Sequence, residues 1–355
     1  MTYSPRSKSN RIGMTVTVFV YLYSGYVLYC PFYGGENALL EYIVTSLFTL
    51  AAALVSSSFF SKRKAAGKRH ASPYFAVVIS VILAVLSSAY IALYTSLLGI
   101  FGEDYPTPLA ALFFAAVIIA GGVMGAEKGR ICVLSFCRMV LLPLVTVAIA
   151  GCFAFFTTKS AFLLPSPFAS FSDGDFFHLP LSIAYLSLDI TFLSAILTDN
   201  ESGEVRKASV QSVMKGTSLF VLFSGLCTAK NLMLFGEAYA SEMISADLAA
   251  LRLVPMFDLA EIAVVVNTLA CQVKVLSYAC LAFFSLKDAF GDGYSSRAAK
   301  YTFFAVSFAV SAVLFIFTPG ENPFSTTFIP VLTAICAAFC FALCSKPENR
   351  QNNTR

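Results

Sequence analysis

Residues 74–101 read YFAVVISVILAVLSSAYIALYTSLLGIF, 28 positions without one charged side chain. A hydrocarbon core about 30 Å thick is crossed by about 20 apolar residues in a helix that rises about 1.5 Å per residue. This stretch is therefore a membrane span, and the same ruler can be carried outward along the chain. It predicts ten spans, at 14–32, 39–60, 74–101, 108–125, 131–156, 178–198, 213–236, 259–285, 301–318 and 325–345. The 355 residues are 58% hydrophobic and 12% charged, against roughly 25% charged in a soluble domain. No long polar stretch separates the apolar runs, so the expectation is one all-α transmembrane domain over 13–345, with tails at 1–12 and 346–355.

Charge in the connections tests the count, because alternate loops collect Lys and Arg when no span is missed or invented. One side carries Arg6, Lys8 and Arg11, then Lys62 to Arg69, Lys128 and Arg130, Arg206, Lys207 and Lys215, Lys287, Arg297 and Lys300, and finally Lys346, Arg350 and Arg355. The other side holds only Lys159 and Arg252, among acidic residues such as Glu36, Glu103, Asp173 and Glu237. Both termini are expected in the cytoplasm. This asymmetry accounts for the net charge of +4, and nothing points to nucleic acid. The Lys62–Arg69 cluster suits a topology signal or anionic headgroups.

The first apolar run follows basic residues as a secretory signal does, but no small-residue cleavage site follows it, so it is read as span 1. Nearly all ten cysteines lie in apolar runs, where the thiol acts as a small hydrophobe. Cys336, Cys340 and Cys344 share a helix face, suited to packing or to a metal. With only His70 and His178 in the chain, no metal is expected. No phosphate-binding glycine loop, metal-binding His pair or nucleophile triad occurs, so neither an enzyme nor a cofactor is expected. Between spans 7 and 8, Met243, Ile244, Leu248, Leu251 and Val254 recur at helical spacing. They predict a short amphipathic helix, either a lid or an interfacial connector.

Charges within spans are costly and need a partner or a cavity. Four stand out: Arg138, Asp189, Lys230 and Lys274. Lys230 lies within reach of a span end and is expected to snorkel to the headgroups. Asp189, in the run Ser187-Leu188-Asp189-Ile190-Thr191, and Lys274 either line a polar site or form a buried ion pair, with each other or with Arg138. Ser24 and Gly25 fall mid-span in span 1, followed by Tyr26 and then Pro31. They mark either a broken helix, which exposes backbone groups to a ligand, or a close helix crossing. Tyr90 and Tyr94, one turn apart in span 3, suit a cavity wall or packing.

A break in span 1 and a polar interruption in span 6 divide the ten spans five and five, over about 13–156 and 178–345, as in inverted-repeat transporters. Three stretches resemble the spore germination permease family, the B subunits of endospore nutrient germinant receptors within the amino acid, polyamine and organocation superfamily. The first runs from Ser24 through Val27, Leu28 and Tyr29 to Pro31. The second is Asp189 with the charged loop from Asp199 to Lys207. The third runs from Ala249, Leu251 and Arg252 through Asp258 and Glu261 to Gln272, Lys274, Ser277 and Tyr278, then Leu286 to Gly291.

The resemblance implies a LeuT-like five-plus-five inverted repeat in the inner membrane of a spore. It implies a receptor subunit that works with an A-type membrane subunit and a C-type lipoprotein. A small nutrient, an amino acid by preference, would bind between broken helices 1 and 6 and helices 3 and 8, with Ser24, Gly25, Tyr26, Tyr90, Tyr94, Ser187, Asp189 and Lys274 as the ligand-binding set. Lys274 would stand where a coupling sodium sits in related transporters. The chain departs from the family at Tyr26, where a small residue is usual, and at Asp189, where Glu is usual. A proton-coupled amino-acid or amine permease and a ligand-free membrane scaffold are the competing readings.

Overall fold

The computed structural model describes residues 5–28, 38–65, 73–101, 107–154, 178–197, 203–242, 250, 253–254, 259–317 and 323–345. Among them all regular structure is helical. The helices are α1 (Pro5–Leu28), α2 (Ala38–Ala65), α3 (Pro73–Phe101), α4 (Pro108–Glu127), α5 (Arg130–Cys152), α6 (His178–Ser182), α7 (Ile190–Leu197), α8 (Gly203–Glu242), α9 (Leu259–Phe290), α10 (Ser296–Phe317) and α11 (Pro323–Ser345). A π-helical turn, Ile183–Ser187, links α6 to α7, and the three pieces make up span 6.

Nine helical stretches among the described residues are long and apolar enough to cross a membrane, and Phe328–Phe341 within α11 is a shorter apolar tenth. Large apolar side chains such as Leu47, Phe113, Leu142 and Leu226 are exposed on the outside of the bundle. Such a surface is stable only against lipid. The chain is a multi-pass membrane protein.

Local chemistry sets the helix ends. Thr107 caps α4 by accepting from the Ala110 amide, and Pro108 supplies a first-turn residue whose missing N–H costs nothing. Lys128 and Gly129 alone join α4 to α5, and Gly129 takes the turn at φ 65, where a side chain would be strained. Gly236, at φ 73, kinks α8 where the sequence places the end of span 7. Hydroxyls inside the spans bond back to their own helices, as Thr17 does to the Gly13 carbonyl at 2.8 Å and Ser277 to that of Val273 at 2.8 Å. Apolar helices can thus carry many Ser and Thr residues with the hydroxyl donor satisfied.

Burial separates centre from rim. The spanning window of α1 is 78% buried and that of α9 72%, whereas that of α10 is 22% buried and that of α5 33%. α3 and α9 pack along each other in the middle. α1 packs along α8, α5 and α9, while span 6 packs along α2 and α11. α4 lies on α9, α10 lies on α3, and α4 and α10 touch.

Three expectations are corrected. α1 runs unbroken through Ser24 and Gly25. Its glycine serves a close crossing: a Cβ on Gly25 would lie 2.9 Å from the Lys274 ammonium. Lys230 does not snorkel, because its side chain is buried within the bundle. Arg138 joins neither Asp189 nor Lys274; it is exposed, with its guanidinium against Gly13 near the start of α1. Pro31 lies outside the described residues, as does most of the stretch from Met243 to Val254. Of that stretch, Ala250, Leu253 and Val254 are described; Ala250 and Val254 pack with Ala154 and Leu234, and Leu253 is exposed.

Candidate functional site: a sealed ion pair among tyrosines

Asp189 sits where span 6 loses its regular helix. The π-turn Ile183–Ser187 widens the backbone before it, and tighter bonds follow it, from the Thr191 amide to the Leu188 carbonyl at 3.1 Å and from the Phe192 amide to the Asp189 carbonyl at 3.2 Å. Insertions of this kind recur at functional positions, because they turn a side chain away from the face a plain helix would give it.

Lys274 reaches this carboxylate from α9. Its ammonium donates to Asp189 Oδ2, and the two side chains are 0% and 1% exposed. The other carboxylate oxygen, Oδ1, accepts from the Tyr21 hydroxyl at 2.7 Å and from the Tyr278 hydroxyl at 3.0 Å. The Lys274 ammonium also lies over the Tyr21 ring, 3.8 Å from its centre, and 5.6 Å from the centre of the Tyr90 ring. An ion pair removed from water survives only when its remaining bonding capacity is met. Here two phenols serve the anion, and two aromatic faces together with the carboxylate serve the cation.

A second layer closes the site. Tyr90 packs against Tyr185 and Tyr278, with ring centres 6.1 and 5.8 Å apart, and Phe192 meets the edge of Tyr278 at 5.9 Å. The Tyr185 hydroxyl donates to the Gly25 carbonyl at 2.9 Å, fastening span 6 to α1 beside Lys274. The Tyr90 hydroxyl is buried and meets hydrogen-bond geometry with no neighbour, as is the Ser24 hydroxyl. Spans 1, 3, 6 and 8 thus converge on one charged point.

Of the residues singled out from the sequence, Gly25, Tyr90, Asp189 and Lys274 come together. Ser24 is buried one position from Gly25. Three others face elsewhere. Tyr26, one residue past Gly25, is turned by about 100°, and its hydroxyl meets that of Thr228 on α8 at 3.0 Å. Ser187 faces α2, bonding Thr49 at 2.9 Å and the Thr45 carbonyl at 3.3 Å. Tyr94 bonds Thr268 at 2.6 Å, six positions before Lys274 along α9.

Tyr21 and Tyr185 were not singled out from the sequence, and Tyr278 entered only as part of the stretch that carries the resemblance, not as a site residue. Spacing held a signal for two of them: Tyr21 precedes Gly25 by four residues and Tyr278 follows Lys274 by four, the interval that shares a helix face. Among the described residues no group of three or more His, Cys, Asp or Glu side chains is placed to hold a metal. The arrangement can hold one positive and one negative charge side by side in a dry interior. No protein-family model matches this chain, and no curated protein matches it in sequence.

Proposed function

We propose that this chain is the membrane subunit of a spore nutrient germinant receptor, binding a small nutrient of the amino-acid class where spans 1, 3, 6 and 8 meet and signalling to an A-type membrane subunit and a C-type lipoprotein. The observation that carries the reading is the Asp189–Lys274 pair, held beside Gly25 and Tyr90 at the interruption of span 6. An amino acid is a zwitterion, and its carboxylate and ammonium are the counter-charges of Lys274 and Asp189. It can exchange with the internal pair without leaving either charge bare in the membrane. Such a ligand acts as a switch because it binds the parted pair more tightly than the closed one.

A five-plus-five repeat is part of the proposal, and the packing pattern supports it. When each span is exchanged with the span five places on, most of the main packings fall on packings, the pairing of span 1 with span 8 being the exception. Span 1 against spans 7 and 5 becomes span 6 against spans 2 and 10, span 4 on span 8 becomes span 9 on span 3, and the pairs 3–8 and 4–9 map onto themselves. Five spans is an odd number, so the second unit would enter the membrane from the opposite side, which gives an inverted repeat. Cytoplasmic termini, and with them the orientation, rest on the Lys and Arg distribution.

Gene deletion in a spore-forming host, scored by nutrient-triggered germination, tests the reading together with uptake by the purified protein in vesicles. Loss of germination with no uptake supports the receptor; normal germination with uptake establishes a proton-coupled amino-acid or amine permease. The permease reading is favoured by the burial of an acid and an amine side by side within the spans, since intramembrane carboxylates and amines line proton and substrate pathways in carriers. Lys274→Ala and Asp189→Ala are each expected to abolish the response while the protein still reaches the membrane. An unchanged dose response in both would remove the ligand site from this position.

A further inference from the structure

Away from the ion pair, an apolar cavity of about 310 Å³ opens between α3, α9 and α10. Its walls include Val77 and Val81 of α3, Phe290 of α9, and Ala298, Thr302 and Val306 of α10. Val77, Val81 and Phe290 are 44%, 42% and 43% exposed and lie within the membrane-spanning stretches Pro73–Thr95 and Val264–Phe290. The mouth therefore faces the hydrocarbon of the bilayer.

The polarity of the lining changes along its length. At one end is the turn that joins α9 to α10, with Tyr294 and Ser295 in the wall. From there the cavity follows α10 to Val306, ten residues beyond Ser296 and so about 15 Å deep, the hydrocarbon depth of one leaflet. Exposed basic residues flank the lining in sequence at this end: Arg297 lies between Ser295 and Ala298 in the first turn of α10, and Lys287 follows Leu286 near the end of α9. Of the acidic residues nearby, Glu127 is engaged by Lys300 at 2.7 Å, Asp288 is exposed beside Lys287, and Asp292 lies in the Gly291–Gly293 turn. Burial, with the Glu127 carboxylate near, pushes the Tyr294 phenol up from its ordinary value, so its hydroxyl stays protonated as a donor.

We propose that this cavity is a phospholipid site, taking one acyl chain between α3 and α10 and an anionic headgroup at the Tyr294–Ser295 turn beside Arg297. An apolar slot one leaflet deep, open to the bilayer and ending in hydroxyls and cations, matches an amphiphile with a long tail and a negative head.

The full-length protein, purified in mild detergent, is examined by native mass spectrometry after titration with phosphatidylglycerol or phosphatidylcholine. A one-to-one phosphatidylglycerol adduct is expected, with phosphatidylcholine binding more weakly. Arg297→Gln should weaken phosphatidylglycerol by about fivefold, the share of one interfacial cation, and bring it towards phosphatidylcholine. Ala298→Phe, at an exposed wall position, should abolish the adduct by filling the slot. In parallel, the wild type in phosphatidylglycerol vesicles doped with a diazirine-tailed phospholipid should be labelled preferentially on α3 and α10 around Val81 and Thr302. Equal adducts for both lipids, an adduct untouched by Ala298→Phe, or labelling no stronger there than at the lipid-facing Leu47 and Leu54 of α2 would overturn the proposal. Loss of a protein dimer rather than a lipid adduct on Ala298→Phe would assign the slot to a second copy instead.

Discussion

Lys274 of α9 and Asp189 at the interruption of span 6 form an ion pair from which water is excluded, 0% and 1% exposed, although 85 positions separate them in the chain. Its energetic character follows from that burial. Removing one partner leaves an uncompensated charge, which costs about 3–5 kcal/mol. Lys274→Met or Asp189→Asn alone should therefore unfold far earlier than wild type, while the double variant should recover most of the loss. Thermal or denaturant unfolding in detergent measures the cycle, and strictly additive losses would mean that the two side chains do not couple.

Tyr21 and Tyr278 both donate to Asp189 Oδ1, at 2.7 and 3.0 Å. A hydrogen bond to a charged group contributes about 1.5–3 kcal/mol, so Tyr278→Phe and Tyr21→Phe should each lower stability by that order. Tyr21→Leu should cost more than Tyr21→Phe, because it also removes the ring beneath the Lys274 ammonium. Equal losses for the Phe and Leu variants would show that the ring face adds nothing.

Tyr90 is the counter-example within the same cluster. Its hydroxyl is buried and meets hydrogen-bond geometry with no neighbour, though it lies near those of Tyr185 and Tyr278, so Tyr90→Phe forfeits at most a poorly aligned bond and is expected to leave stability nearly unchanged. A melting temperature lowered as far as that of Tyr278→Phe would contradict this.

Two glycines should differ in how they tolerate a methyl group. On Gly25 the added carbon would lie 2.9 Å from the Lys274 nitrogen and 3.1 Å from its terminal carbon, a side-chain end that is pinned by its ion pair. On Gly216 it would lie 2.6 Å from the Thr15 carbonyl oxygen, which is backbone and cannot step aside. Gly25→Ala should cost about 1–3 kcal/mol and disturb the pair, whereas Gly216→Ala should cost more and separate α8 from α1. Comparing unfolding midpoints of the two variants decides the order.

Tyr26 was expected to shape the ligand pocket and instead bonds Thr228 across the α1–α8 contact. Under the proposed receptor function, Tyr26→Phe should leave the concentration dependence of the nutrient response unchanged while weakening the protein by about 0.5–1.5 kcal/mol. A shifted dose response would return Tyr26 to the site.

Much of the molecule was legible because membrane insertion is written locally. A span is a sum of side-chain transfer energies over about 20 neighbouring residues, and the predicted limits of spans 3 and 7 meet the structure at Phe101 and Gly236. Asp189 and Lys274 were legible for the same reason, since a charge in such a run stands out by its cost alone. The tyrosines were not. Tyr21, Tyr185 and Tyr278 read as ordinary large side chains in apolar helices, and only their contacts make them ligands of a carboxylate or a carbonyl.

By itself, then, the sequence determined that this chain is a bundle of membrane helices and that the charges within its spans, Asp189 and Lys274 above all, had to find a partner or a polar cavity. Tertiary structure alone decided that Lys274 and Asp189 are each other's partner, that Arg138 is not, that α1 passes Gly25 intact, and that Tyr26 points to α8 while Tyr21 points inward. The physical reason is geometric. Hydrophobicity adds up along the chain, whereas a contact between helices depends on the depth and rotation of both, and one residue's turn of about 100° carries a side chain from one neighbour to another.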